Sequence, residues 1–202
     1  MLRKTKIAVF VSGGGTNLQA LIDAQNRGGI TAGEIVLVVS SNEKAYALER
    51  AAKAGIDSCV IRRKDFDSQD AYEDSLKAKL AEYGVELIVL AGFMSILSAG
   101  FTSAYPERIL NVHPSLIPSF CGKGFYGLKV HEAALAYGVK VTGATVHFVN
   151  EVPDGGKILL QKAVAIEEGD TPEVLQRRVM EQAEWILLPQ AVQMVSEQIQ
   201  KG

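Results

Sequence analysis

Short apolar runs alternate with segments of helical period along the first half of the chain. "KIAVFV" reads as a strand, after which Leu18, Leu21, Ile22 and Gln25 follow helical spacing up to the Gly28–Gly29 pair. "EIVLVVS" is the second strand, "EKAYALERAAKAG" a helix stopped by Gly55, and "SCVIR" a short third strand. "SQDAYEDSLKAKLAEYG" is a helix closed by Gly84, followed by the strand "VELIVLAG", a short helix near "SAGFTSAY" and the strand "RILNVH". Strands without polar alternation are buried on both faces, so this rhythm predicts a parallel sheet covered by helices on both sides. The fold class expected is α/β, a Rossmann-like, doubly wound sheet of about seven mostly parallel strands. Ligands bind such sheets at the carboxyl ends of the strands.

The pattern changes after His113. "PSLIPSFCGKGFYG" is a loop rich in Pro and Gly, and a helix from about Leu128 to Tyr137 follows. "VKVTGATVHFVNE" and "KILLQKAVAI" read as two strands joined by a loop containing "VPDGG", and an antiparallel pairing would extend the sheet. In the closing helix, Thr171 is the expected N-cap and Pro172 its first residue. Leu175, Val179, Ala183, Ile186 and Leu187 form its expected buried stripe, and Pro189 is expected to kink or split it.

The 202 residues are expected to form one domain. A nucleotide-binding half covers about residues 1–105, and a catalytic half covers about 106–202. A net charge of −2 with interspersed signs gives no reason to expect nucleic acid or an anionic membrane. No apolar run reaches the roughly 18 residues of a membrane helix, and the basic N-terminus runs straight into a strand rather than a secretory signal. Cys59 and Cys121 are the only cysteines, which fits a reduced, cytoplasmic setting with two free thiols.

The loop "VSGGGTNLQALIDA" joins the first strand to the first helix. A dinucleotide fingerprint wants a small residue where this loop has Leu18, and an acidic residue where the second strand ends in Ser40, Ser41 and Asn42. A Walker loop wants a Lys that is missing here. Backbone N–H groups at a helix N-terminus still favour an anion. Gly14 and Gly15 allow close approach, and Thr16 and Asn17 add a hydroxyl and an amide. A phosphate monoester suits that loop better than a pyrophosphate; a tight turn with an N-cap is the plain alternative.

Asn111 and His113 alternate on one strand face, and Pro114 ends the strand beside them. An amide and an imidazole therefore sit together where ligands bind. Thr145 and His147 share a face of a later strand, with a hydrogen-bonded structural histidine as the plainer reading. His131 has no assigned role, and the three histidines lack the spacing of a metal site. Asp154 precedes two glycines and reads as a turn when taken alone. Cys121 has no base beside it in sequence, and Lys123 reads as a solvated loop residue.

Taken together, "VSGGGTNLQALIDA", "VVSSNEKAYALERA", "VLAGFMSILS", "LNVHPSLIPSF", "TGATVHFVNEVPDGGKILLQ" and "GDTPEVLQRRV" carry a resemblance. The chain resembles the phosphoribosylglycinamide formyltransferases, folate-dependent enzymes of purine synthesis, over nearly its whole length. The resemblance implies the formyltransferase fold and transfer of formyl from 10-formyltetrahydrofolate to the amine of glycinamide ribonucleotide. No metal, nicotinamide or flavin is implied. Its partners would be those two small molecules, with no nucleic acid or membrane, in a monomer or weak homodimer.

The same resemblance implies that Gly15, Thr16 and Asn17 hold the ribonucleotide phosphate. Met94, Ser95, Ile96 and Leu97 would hold the pterin, with Asn111 and Gln69 as further folate contacts and the "VPDGG" loop closing the pocket. The catalytic trio would be Asn111, His113 and Asp154, supported by Thr145 and His147 from a neighbouring strand. Asn111 would donate to the oxyanion of a tetrahedral intermediate. Asp154 would favour the imidazolium of His113, which protonates the folate nitrogen as it leaves. Ser95 and Gln69 stand where the family often has Arg, which bears on the folate contact. The loop "CGKGFYG" is longer than the common form and reads as either a lid or a surface insertion. Two relatives share the core, a formyltetrahydrofolate hydrolase and a methionyl-tRNA formyltransferase. They are expected to carry an extra N-terminal domain and a basic C-terminal domain, respectively. A non-catalytic nucleotide-binding module would have no use for Asn111, His113 and Asp154 together.

Overall fold

Period-two alternation decides how the central strands pack. In β1 (Thr5–Val11), Ile7, Val9 and Val11 join one apolar cluster while Ala8 and Phe10 join the other. The structure, a computed structural model, describes residues 3–202. Helices α1 (Thr16–Asn26), α2 (Tyr46–Lys53), α6 (Pro172–Val179) and α7 (Trp185–Lys201) supply the first cluster. The second is built with α3 (Gln69–Tyr83) and α4 (Ala99–Ser103), through Tyr72, Leu76, Leu80 and Phe101.

The seven-stranded sheet runs β3-β2-β1-β4-β5-β6-β7. β2 (Gly33–Ser40), β3 (Ser58–Val60), β4 (Leu87–Leu90) and β5 (Ile109–His113) continue parallel pairing from β1. β6 (Val141–Phe148) and β7 (Ile158–Ala165) then add antiparallel. Helix α5 (Leu128–Tyr137) precedes that pair. The chain builds outward from β1 to β3 and then returns to place β4 on the other side of β1. The loops after β1 and β4 therefore diverge and leave a crevice at their carboxyl ends. There, the Met94 N–H donates to Ser12 Oγ at 2.8 Å, tying the two loops together.

Two local expectations are corrected. The second helix starts at Tyr46 rather than near Glu43, because Asn42 Oδ1 accepts the Lys44 N–H and the Ala45 N–H closes a turn onto the Asn42 carbonyl. The closing helix splits before Pro189, not at it: a π-helical turn spans Met180–Glu184, and Pro189 continues inside α7. That wide turn shifts the helical register, so Ile186 faces solvent and Leu188 takes its place in the core. Thr171 caps α6 as expected, accepting the Val174 N–H. No helix among the described residues is long and apolar enough to cross a membrane.

Candidate active site

β5 ends by placing Asn111 and His113 on one face, directly opposite His147 and Thr145 of antiparallel β6. His113, Thr145 and His147 are buried and Asn111 partly so. The Thr145 hydroxyl donates to the Ser115 carbonyl at 2.7 Å and accepts from the Ile117 N–H and Gln161 Nε2. Thr145 thus anchors the turn that follows His113, and its hydroxyl faces the backbone rather than a ligand.

Asp154 arrives from the β6–β7 loop with φ +56. A Cβ on Gly156 would lie 1.7 Å from the Phe148 carbonyl oxygen, so only glycine lets this loop fold back closely enough. The Asp154 carboxylate then lies 3.4 Å from His113 Nδ1 and 3.6 Å from His147 Nε2, and it accepts the Gly122 N–H at 2.8 Å. Burial alone would raise this carboxyl. The His147 ring, the Gly122 amide and the nearby His113 together outweigh burial and hold it below the usual carboxylate range. At 3.6 Å the His147 contact is longer than a hydrogen bond, and His147 favours the carboxylate as an imidazolium, whose charge and Nε2–H face Oδ1.

A hydrogen bond fixes the neutral tautomer of His147. His147 Nδ1 lies 2.8 Å from the Phe148 carbonyl, which can only accept, so the proton of the neutral ring sits on Nδ1. His147 Nε2 is then free to accept from Asn111 Nδ2 at 3.1 Å. The second Asn111 N–H is held only loosely, with Asp154 Oδ1 at 3.5 Å. One donor of Asn111 is therefore spent on orientation, and the other remains available to a ligand.

A cleft of about 130 Å³ opens beside this group, lined by Leu90, Phe93, Ser95, Ile96, Leu97, Asn111, His147 and residues 149–154. Ser95, Ile96 and Leu97, three of the four residues expected to hold the pterin, line it, whereas Met94 does not and is more than half exposed. Gln69 also lies outside the cleft. Its amide donates to the Ile96 carbonyl at 3.1 Å and to Glu73, and its oxygen accepts from Arg63. The buried Glu73 carboxylate in turn accepts the Ser98 N–H and hydroxyl. Gln69 and Glu73 therefore hold the backbone of the cleft wall instead of reaching into it.

The glycine loop is shaped by packing as much as by ligand access. Gly15 caps α1 at φ +72, and a Cβ there would lie 2.6 Å from the Ala47 Cβ on α2. Gly13 and Gly14 are exposed and face open space, with their carbonyls accepting from the Ala47 N–H and Arg50 Nε. The first-turn N–H groups of α1 have no intrahelical partners and point at whatever occupies the loop. Asn17 departs from expectation: its Nδ2 donates to Glu184 at 2.7 Å and its Oδ1 is buried without a partner. The side-chain amide is turned into the protein, leaving the backbone N–H as what Asn17 offers an anion.

Sequence reading overlooked Glu184. It sits in the π-helical turn, buried beside the glycine loop, and burial pushes its carboxyl up to about 7 against a smaller downward pull from Asn17. The available signal was an acidic residue next to Ala183 of the expected apolar stripe. The native carboxyl keeps its proton up to about pH 7, while an unfolded one releases it near 4.5. Stability is therefore lost as pH rises between those values and is level above them. Glu184→Gln keeps an acceptor for Asn17 without the charge. It is expected to match the native protein near pH 4 and to exceed it by up to about 3 kcal/mol above pH 7. Denaturant unfolding at the two pH values checks this, and an equal gap at both would refute it.

Residues 5–192 match the formyl transferase family. The phosphoribosylglycinamide formyltransferase of Haemophilus influenzae is 42% identical over 192 residues, covering 95% of this chain and 87% of the relative. The trifunctional purine biosynthetic protein adenosine-3 of Gallus gallus is 46% identical over 96% of this chain, which spans only 18% of that relative. The chain likewise spans 61% of the chloroplastic phosphoribosylglycinamide formyltransferase of Arabidopsis thaliana, at 41% identity. In structure it is similar to glycinamide ribonucleotide transformylase 1 from Symbiobacterium toebii, with a TM-score of 0.90 and 42% identity over 96% of this chain and 89% of that one. A match over nearly the whole chain, on the same mostly parallel sheet, places the protein in a family by sequence and by fold: the chain belongs to the formyl transferase family.

Proposed function

We propose that the protein transfers the formyl group of 10-formyltetrahydrofolate to the amine of glycinamide ribonucleotide. The observation that carries this reading is the convergence of Asn111, His113 and Asp154 at the end of β5, at a cleft suited to a flat heterocycle and on the same carboxyl edge of the sheet as the anion-suited N-terminus of α1. Similarity to the named phosphoribosylglycinamide formyltransferases supports the choice of substrates.

The ribonucleotide phosphate rests on the backbone N–H groups of Thr16 and Asn17, favoured by the helix dipole and by the open face of Gly13 and Gly14. The pterin lies in the cleft against Ser95, Ile96 and Leu97, under Val152 and Pro153. Attack of the amine on the formyl carbon gives a tetrahedral centre whose oxygen gains a negative charge. The loosely held Asn111 N–H turns to that oxygen. The C–N bond to the folate nitrogen then breaks. That nitrogen takes a proton from the His113–Asp154 pair, and the new amide loses one to the same pair, directly or through water.

The decisive assay supplies 10-formyltetrahydrofolate with glycinamide ribonucleotide, its dephosphorylated ribonucleoside, or water alone. Formylation of the ribonucleotide is expected, with the ribonucleoside a much poorer substrate. Formate release without an acceptor would instead favour a hydrolase, and equal use of the ribonucleoside would remove the phosphate from the glycine loop.

A further inference from the structure

The loop at residues 119–127, read from sequence as either a lid or an insertion, makes two backbone contacts with the catalytic pair. The Phe120 carbonyl lies 2.8 Å from His113 Nε2, and the Gly122 N–H donates to Asp154 Oδ2 at 2.8 Å. We propose that this loop is a positioning clamp, in which the Phe120 carbonyl sets the His113 tautomer and the Gly122 amide sets the Asp154 carboxylate.

A carbonyl oxygen only accepts, as does the carboxylate facing Nδ1, but the carbonyl is the nearer at 2.8 Å against 3.4 Å, so Nε2 of His113 carries the hydrogen of the neutral ring as well as one in the imidazolium. The nitrogen that gains and loses a proton is therefore Nδ1, which is the one 3.4 Å from Asp154 Oδ2. Gly122 holds that same Oδ2 from the other side. Without the clamp, the ring is free to flip or to place its neutral-state proton on Nδ1. Each alternative takes the exchangeable proton away from the arrangement that shares it with Asp154.

The loop is built to hold this shape. Phe120 adopts φ +49, a left-handed conformation unfavourable for a bulky residue, which turns its carbonyl back toward His113. Ser115 Oγ donates to the Ser119 carbonyl at 2.6 Å, the Ser119 N–H to the Leu116 carbonyl and the Phe125 N–H to the Gly122 carbonyl. The Phe120 ring packs edge-on against Phe125, with centroids 6.4 Å apart, and against Tyr137 of α5 at 6.0 Å. Tyr137 is 80% exposed, so its ring serves the loop rather than the core. The other titratable groups around the pair are Cys121 on the loop, His131 on α5 and His147 on β6.

This proposal rests on His113 and Asp154 acting in formyl transfer, so its test includes a readout independent of substrate. In the whole protein labelled with ¹⁵N, the ring nitrogens of neutral His113 report the tautomer directly. The native enzyme is expected to show the Nε2–H form. Phe120→Ala removes both ring contacts, and Gly122→Ala puts a side chain at φ +86, with open space around it but a strained backbone. Tyr137→Ala loosens the same latch from an exposed position where loss of fold is not expected.

All three are expected to mix the tautomers and to lower kcat, by about 10- to 100-fold for the two loop variants and less for Tyr137→Ala. KM for the ribonucleotide should stay within about threefold, and the pH profile of kcat should shift. Native tautomer populations together with native kcat in the folded variants would overturn the clamp and leave a surface insertion. A tautomer change in an enzyme with no formyl transfer would uphold the clamp while refuting the functional reading.

Discussion

Asp154→Asn is expected to lower kcat by about 10²- to 10⁴-fold, the range lost with a positioned acid–base group. The native carboxylate is held below the usual range, although burial opposes it, because His147, the Gly122 amide and His113 all favour the charged form. The carboxylate therefore stays ionised into acid, where in the proposed reaction it stabilises the imidazolium that gives up a proton. An asparagine preserves volume and can still accept the Gly122 N–H, but it offers no charge to His113. The acidic limb of the kcat profile that depends on Asp154 should change with it. Stability follows the same charge. The depressed carboxyl contributes above the ordinary carboxylate range, and that contribution is lost as pH falls through the native value. The native enzyme should thus be the more stable of the two near neutrality, with the gap closing in acid. Unchanged turnover and an unchanged pH profile would remove Asp154 from the mechanism.

The residues that sequence reading located best are those governed by a local rule. Asn111 and His113 share a strand face because strands alternate, and Thr145 and His147 share one for the same reason. That the two pairs stand directly opposite one another depends on the β5–β6 register, which no short stretch encodes. Asp154 looked like a turn residue in isolation and became a site candidate only through the family resemblance. What brings it to His113 is the close fit of Gly156 against the Phe148 carbonyl, a tertiary contact.

Asn17 and Glu184 show the opposite limit. They lie 167 positions apart, and only the packing of the π-helical turn against the start of α1 turns the Asn17 amide inward, away from the anion it was expected to hold. Ile186 fell on the wrong side of its helix for the same reason, since regular helical spacing contains no wide turn. Gln69, expected to contact folate, holds the Ile96 carbonyl at the wall of the cleft and does not line it.

Asn111→Ala is expected to cost about 10²- to 10³-fold in kcat, the loss of one donor aimed at a developing oxyanion, and to leave ribonucleotide affinity nearly unchanged. The split follows from geometry. Asn111 lies at the end of β5 and lines the cleft proposed for the pterin, whereas the anion-suited amides belong to the loop after β1, two strands away in the sheet. The substitution has a structural cost that must be separated from the chemical one. His147 Nε2 is buried and receives its hydrogen bond from Asn111, so removing the donor leaves an acceptor unpaired at about 1–3 kcal/mol. That cost appears in denaturant unfolding without substrate. The catalytic loss appears in single-turnover rates on folded enzyme saturated with both substrates, where a purely structural effect does not reach. Asn111→Asp sharpens the comparison: it keeps the volume but replaces the donor with a charge facing both Asp154 and the oxyanion. It should be at least as slow as the alanine variant. Normal single-turnover rates in Asn111→Ala would sink the oxyanion assignment and leave Asn111 as no more than the hydrogen-bond partner that orients His147.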